Sequence, residues 1–330
     1  MIFLGINLKP KLIAAFLLIG SIPFGVVSTL SLNSSSRALE KQAYRHLESI
    51  RSIKKAQILS LVQTHQQEMN MLVDTAGALR KNAVDKLVAV RQIKKSSIER
   101  YLHNIRDQVI TLAENRMVTE AMNNFSGAFL NYRHEVGIDQ TALKHLTTEL
   151  TAYYQGSFTE EYSRLHNGNE PEIIATAKLT RDTVALQHQY IAANKYLLGS
   201  KKKLLDTNDP SRYSHLHSDF HPIIKNYLER SAYDDIFLVD THNGNIVYSV
   251  TKELDYATSL IDGPYAQTNI GEVFRQARSM KKGEVAFADY APYLPSYDFP
   301  ASFIATPIFN AKERIGVLIF QLPLDRITKI

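Results

Sequence analysis

No proline occurs between Pro23 and Pro171, and that absence constrains this chain more than any motif in it. A proline inside a helix removes a backbone donor and clashes with the preceding turn, at a cost of about 3 kcal/mol or more. A stretch this long without one permits helices well beyond the usual three or four turns. Within it the sequence repeats: Arg51-Ser52-Ile53-Lys54-Lys55 returns forty residues later as Arg91-Gln92-Ile93-Lys94-Lys95. Leu47 matches Leu87, Ile58 matches Ile98 and Leu72 matches Leu112, and such a period is in the range of helical repeats. In the second copy Leu87, Val90, Ile93, Ile98, Tyr101, Leu102, Ile105, Val109 and Leu112 fall mostly at steps of three and four, the signature of one apolar helix face. The break between copies is expected near Thr75-Ala76-Gly77. A helix from about Ser34 to Val73 would reach roughly 60 Å at about 1.5 Å per residue. The repeated basic dipeptides read as a solvated helix face, with an acidic ligand or anionic lipid as the sharper alternative.

One segment has membrane length. Leu12 to Leu32 reads LIAAFLLIGSIPFGVVSTLSL and carries no charge, and about 20 apolar residues cross a bilayer core. Lys9 and Lys11 precede it, which favours a cytoplasmic N-terminus and an exported remainder. Pro23, two glycines and four Ser/Thr lower its hydrophobicity, so a cleaved signal peptide is the rival reading. The apolar run is longer than a usual signal core, and an uncleaved anchor is expected at 12–32, after a cytoplasmic tail at 1–11. Nothing after Leu32 is long and apolar enough to return. The expected location is the inner membrane, single-pass, with residues 33–330 periplasmic.

Composition narrows the rest. A net charge of +5 comes without a basic stripe interleaved with aromatics, and Lys201-Lys202-Lys203 is the one compact basic run. It reads as a solvated helix end, so no nucleic-acid partner is expected. Zero cysteines exclude disulfides, thiolate metal sites and cysteine nucleophiles.

Residues 33–122 are expected as the long repeated helices, and 123–212 as a mainly helical region. Phe125-Ser126-Gly127 and Asn167-Gly168-Asn169 read as loop punctuation. Leu186 to Ile191 falls in the last of these helices, and Asp206 to Ser211 is a further loop. Pro222 is expected at the first turn of a helix running to about Arg230. Beyond it, Tyr233 to Asp240 and Asn245 to Val250 are β-rich runs around an Asn243-Gly244 turn. A helical segment and three more apolar, β-branched runs follow, ending with Arg314 to Phe320. Strand, strand, helix, strand, strand, strand over 213–330 is the order of a small antiparallel sheet.

His215, His217, Asp219 and His221 lie close in sequence, but Pro222 biases His221 away from the helical region, so a shared helix face is not expected. No third ligand is fixed and no H-E-x-x-H occurs, so neither a metal nor another cofactor is expected. No G-x-S-x-G, P-loop or dinucleotide fingerprint is present either, and an enzyme is not expected. Around the later strands, tyrosines stand beside a few charges in a pattern suited to an orienting pocket. The expected ligand-binding residues are Tyr248, Lys252, Asp255, Tyr265, Asp289, Tyr290, Tyr293 and Tyr297. Asn269, with Glu272 completing a capping box, is the expected start of the intervening helix. The plainer reading is that these tyrosines edge the core and the aspartates cap turns.

The stretches LQHQYIAANKYLLGSKKKLLD from Leu186, YDDIFLVD, GNIVYSVTKELDYATSL, GPYAQTNIGEVF, APYLPSYDFPASFIATPIF and IGVLIFQLPLDRI resemble the extracytoplasmic region of bacterial Cache-type receptors. These are methyl-accepting chemotaxis proteins and related membrane histidine kinases and nucleotide cyclases. The resemblance covers about Ala43 to the C-terminus and is densest from Leu186. It implies an α+β fold: an N-terminal transmembrane helix, long antiparallel helices, then a PAS-like five-stranded antiparallel sheet with flanking helices. It also implies a small-molecule ligand and a homodimer whose helices pass ligand state to a signalling domain that does not occur in these 330 residues. The chain has no tryptophan, so the tryptophan-containing amino-acid pocket of many such receptors is not expected. A secreted periplasmic binding protein is the reading that follows if the N-terminal segment is cleaved.

Overall fold

The computed structural model describes residues 8–173 and 176–329, with only the backbone of Ala177. The expected cytoplasmic tail lies outside the described residues as far as residue 7. The chain divides into two compact units, Met1–Val90 and Arg91–Ile330.

The described part of the first unit is helix throughout, belonging to α1 (Leu8–Ala113). The expected break at Thr75-Ala76-Gly77 does not occur, and the two repeats lie on this one helix rather than on an antiparallel pair. A lone Gly77 costs a helix only about 1 kcal/mol, too little to end one this long. Pro23 is also inside α1. The apolar side chains of 12–32 are exposed, Phe16 at 79% and Phe24 at 75%, and by length and composition α1 can cross a membrane.

The second unit is mixed α and β. The last turns of α1 bury Ile105, Val109, Leu112 and Ala113. Then come α2 (Arg116–Glu135), α3 (Gln140–Tyr153), α4 (Thr159–Leu165), α5 (Arg181–Gln187) and α6 (Arg212–Ser231). Asn115 caps α2 by accepting from the Met117 N–H at 2.8 Å. Phe125 is fully buried inside α2, so the Phe125-Ser126-Gly127 break is corrected: that segment presents a core residue at helical spacing. Asn167 and Gly168 do form the expected loop, both at positive φ.

Five strands form one antiparallel sheet: β1 (Asp235–Asp240), β2 (Ile246–Ser249), β3 (Ala286–Pro292), β4 (Pro300–Asn310) and β5 (Glu313–Leu322), in the order β2-β1-β5-β4-β3. Their order along the chain matches the sequence reading. Leu238 pairs with Leu318 and Phe237 with Ile319, while Ile304 pairs with Phe320. Alternate residues point to opposite faces. Ile236, Leu238, Leu318 and Phe320 meet α1, α2 and α6, whereas Phe237, Val239, Val317 and Ile319 meet α3 and α7 (Asn269–Ala277). Burial on both faces explains why the strands read as nearly unbroken apolar runs. Where α2 crosses the sheet, a Cβ on Gly316 would meet the Met122 side chain, which would have to move aside. The β3–β4 ladder shifts register between Ala288 and Ala291.

One helix start and one helix cap differ from expectation. Pro222 lies in the interior of α6, which begins at Arg212 behind the Ser211 cap. Pro222 is exposed, so the carbonyl it leaves without an N–H partner is on the wet side of the helix. α7 begins at Asn269 as expected, but the capping box does not form: the cap residue is Thr268, which places Glu272 one position too late. The Asn269 amide instead donates to the Ala301 carbonyl at 2.6 Å and the Asp289 carbonyl at 3.2 Å, tying the helix to the sheet.

Gly271 faces the Ala266 and Tyr265 carbonyls so closely that an added Cβ would overlap backbone. Backbone cannot rotate away as a side chain can, and overpacking typically costs about 1–3 kcal/mol. Gly271→Ala is therefore expected to lower stability by about 2–3 kcal/mol, read as an earlier denaturant midpoint of the purified chain. Gly127→Ala, where nothing lies within 4 Å, is expected to leave the midpoint unchanged or raise it.

Candidate functional site

The site begins with one buried carboxylate. Asp235, at the start of β1, accepts from the backbone N–H of Ile236 at 2.6 Å, Val250 at 2.9 Å and Thr251 at 3.2 Å. Its other oxygen accepts from the Ser249 hydroxyl at 2.7 Å and from the Thr251 hydroxyl. These bonds fix the chain where it leaves β2. Gln187 of α5 fixes the next stretch, donating to the Leu254 carbonyl at 2.8 Å and the Tyr256 carbonyl at 2.6 Å while accepting from the Tyr154 hydroxyl at 2.6 Å. The segment 251–254, held at both ends, forms one wall of a cavity.

That cavity has a volume of about 370 Å³, within the range of small-molecule sites (about 300–1,000 Å³). It opens where β1 begins and β5 ends, with Asp234 and Gln321 on its wall. Two π-helical turns supply its apolar side. Tyr154–Phe158 follows α3 and contributes Phe158, and His188–Ala192 follows α5 and contributes Ile191. Phe158 stacks on Tyr297, with ring centroids 4.9 Å apart. Tyr297 and Asp298 both have left-handed backbone. They are held so by His166, 2.7 Å from the Tyr297 carbonyl, and by Tyr162, whose hydroxyl donates to Asp298 at 2.6 Å.

The polar side carries both signs of charge. Lys201 is buried, donates to the Ile191 carbonyl at 2.6 Å and lies 4.8 Å from the centre of the Tyr153 ring. Burial pushes its ammonium down to about 8. The expectation of a solvated Lys201-Lys202-Lys203 helix end is thus corrected: the run forms a short turn whose first lysine folds inward. Lys202, 3.9 Å from Glu229, also lines the cavity. Glu253 accepts from the Ser296 hydroxyl at 3.0 Å, and Gln321 donates to that hydroxyl at 3.0 Å. Burial and the nearby Asp255 push the Glu253 carboxyl well above its ordinary range. Asp234 is raised to about 6, again chiefly by burial.

Of the eight residues expected from sequence, Lys252 and Tyr297 line this cavity. Asp255, Tyr265 and Tyr293 form a separate buried group, with the Tyr293 hydroxyl donating to Asp255 at 2.6 Å and the Tyr265 ring 6.0 Å from that of Tyr293. Tyr248 faces the opposite core, its hydroxyl 2.7 Å from His221 Nδ1. Asp289 is exposed on β3, and Tyr290 is half-buried with its hydroxyl donating to the Pro323 carbonyl at 3.1 Å. Tyr153, Phe158, Ile191, Lys201, Lys202, Asp234, Glu253, Ser296 and Gln321 also line the cavity and are not among the ligand-binding residues expected from sequence. His217 and His221 do share a face of α6, contrary to expectation, and their rings stack with centroids 4.4 Å apart. Both are buried while His215 and Asp219 are exposed, and no group of three metal-ligating side chains occurs among the described residues.

No protein-family model matches the chain, and no curated protein matches it. Solved structures similar to it include the sensor domain of the histidine kinase DctB from V. cholerae, at 18% identity and a TM-score of 0.28 over 53% of this chain. The match spans 59% of that domain. A superposition this loose carries nothing about function.

Asp255, in the buried group apart from the cavity, carries a testable signature. Burial raises its carboxyl from 3.8 to about 7. Below about pH 4 it is protonated in both folded and unfolded chains. As pH rises the unfolded chain ionises first, so this group's contribution to stability is lost between about pH 4 and 7 and is constant above. His217 and His221, which burial holds neutral well below 6.5, act in the opposite sense as pH falls. The comparison must therefore be made between variants. Asp255→Asn is expected to remove this group's loss alone, its stability relative to wild type rising across about pH 4–7 and levelling above, as read by denaturant titration at each pH.

Proposed function

We propose that this chain is the ligand-sensing extracytoplasmic part of a bacterial membrane receptor, of the kind that serves chemotaxis, and that the cavity at the end of the sheet is its ligand site. The observation that carries this reading is the cavity itself. It is small-molecule sized, with aromatic rings on one side and lysine and carboxyl side chains on the other, as orienting pockets are built. Two of its wall residues, Lys252 and Tyr297, have left-handed backbone, a form of local strain that clusters at binding sites. Catalysis is a poorer fit. The one hydroxyl–carboxyl pair on the wall, Ser296 with Glu253, couples the serine to a carboxyl that burial favours in its neutral form, and a neutral acid cannot act as a base.

The cavity also has a short connection to α1. Asp234 lines it, and the adjacent Tyr233 donates its hydroxyl to Gln108 of α1. A ligand with different affinities for two positions of this link would shift the balance between them. The apolar segment of α1 supports membrane anchoring, and a homodimer of such helices would bring two output domains together. A histidine kinase or cyclase output fits the same cavity and anchor, and the coding sequence beyond Ile330 separates these receptor types.

Two measurements test the reading. Alkaline carbonate extraction is expected to leave the chain in the membrane fraction with residues 33–330 open to protease from the periplasmic side; release into the soluble fraction would instead mark a secreted binding protein. A thermal-shift screen of the purified chain against small metabolites is expected to yield a stabilising ligand. That shift should vanish in Leu198→Trp, which enlarges a residue lining the cavity, and persist in Asp289→Ala. Tyr233→Phe is expected to keep the affinity within about threefold while weakening the response of the intact receptor. Failure of every metabolite class, or a shift indifferent to Leu198→Trp, would remove the cavity from consideration.

A further inference from the structure

Lys252 is buried in a fold of aromatic rings. Its Nζ, which burial brings down to about 7, lies over the faces of Tyr248, Tyr256 and Tyr190, at 4.6, 5.3 and 5.9 Å from the ring centres, and donates to the carbonyl of Ser249. No carboxylate is in ion-pair contact with it among the described residues. Tyrosine faces within about 6 Å attract a cation through the ring quadrupole, and more strongly when water is excluded.

The rings are fixed independently of the lysine. The Tyr256 hydroxyl is 2.7 Å from that of Tyr213, which donates to the Val247 carbonyl at 2.7 Å. The hydroxyl of Tyr248 is held by His221 at 2.7 Å, and that of Tyr190 lies 3.2 Å from Ser214 Oγ. Such a preorganised enclosure binds with little ordering cost. His217, whose ring centre is 4.9 Å from that of Tyr190, has its buried Nε2 without a partner. Lys252 itself has a left-handed backbone, at φ 62°, and is also a wall residue of the cavity described above.

We propose that the faces of Tyr190, Tyr248 and Tyr256, with the Ser249 carbonyl, form a binding site for a primary organic ammonium, which the chain keeps filled with its own Lys252 side chain. The cage and the cavity share Lys252 as a wall, so removing its side chain joins the two. A tethered occupant competes at an effective concentration in the millimolar range. A simple amine therefore cannot displace it, whereas a ligand that adds contacts in the cavity can. The cage chemistry stands apart from the sensor reading and survives if the cavity has another role.

The test is chemical rescue of the full-length chain in detergent. Lys252→Gly empties the cage and suits the left-handed backbone, which glycine adopts without strain. Lys252→Met fills it with a neutral chain of similar length. Each is melted with n-propylammonium chloride, and with n-propanol or potassium chloride at the same concentration. The expected result is that saturating propylammonium raises the midpoint of Lys252→Gly by about 3 °C or more, while n-propanol and potassium chloride do not, and wild type and Lys252→Met do not respond. Equal effects of ammonium and alcohol, or an equal response in wild type or Lys252→Met, would overturn the proposal. Should Lys252→Gly fail to fold, its refolding is measured with each additive. Recovery with propylammonium alone supports the cage, and recovery with both or neither refutes it.

Discussion

The carboxylate of Asp235 holds together what the rest of the site depends on. A buried carboxylate accepting several hydrogen bonds is costly to disturb, because removing it strands each of its donors away from water. Here those donors are the backbone and hydroxyl groups of Ser249 to Thr251. They set where the chain turns after β2, hence where the Lys252 side chain enters the core and where Glu253 meets the cavity. The sheet below supplies rigidity and this one residue supplies aim. Burial raises the Asp235 carboxyl above its ordinary range, and its hydrogen bonds and Lys252 offset part of that rise.

The tyrosines show a related economy. Tyr190, Tyr213, Tyr248, Tyr256 and Tyr293 are all fully buried, and each hydroxyl has a hydrogen-bonding partner. Apolar residues of similar volume would fill the same space but would tolerate slippage. A polar tip that must find one partner rejects neighbouring arrangements. The two cores are therefore specified by direction as well as by volume.

Much of this architecture is legible in the sequence, for identifiable reasons. The strands announce themselves because burial on both faces leaves runs such as Ile236 to Val239 and Val317 to Phe320 almost wholly apolar. The Asn243-Gly244 turn is visible because Gly244 does adopt positive φ. The cavity is much less visible. Its apolar wall draws on two π-helical turns of five residues each, too short for a hydrophobic period of their own to be read. Lys201 reads as solvated because a run of three lysines usually is, and only the fold reveals the Ile191 carbonyl waiting for it. Pro222 misleads in the other direction: its ring disfavours a helical residue before it, yet α6 carries both His221 and Pro222 in its interior, with Pro222 on the exposed face. Tyrosines and charges between the strands marked the right region, but period-two alternation could not tell which faced the cavity and which, like Tyr248, faced the other core.

The register shift in β3 has a consequence for how copies of this protein meet. An edge strand normally offers a ladder of unpaired backbone groups to any other edge, and proteins blunt it with prolines, irregularities and brevity. At one edge, β3 shifts register between Ala288 and Ala291 and ends at Pro292. At the other, β2 is four residues long, and just beyond its start Asn245 bridges to Ser259. Neither border is a good template for a sixth strand. Growth of the sheet into a fibre, or joining of two sheets edge to edge, is disfavoured from both sides, and association is directed instead to surfaces made of side chains.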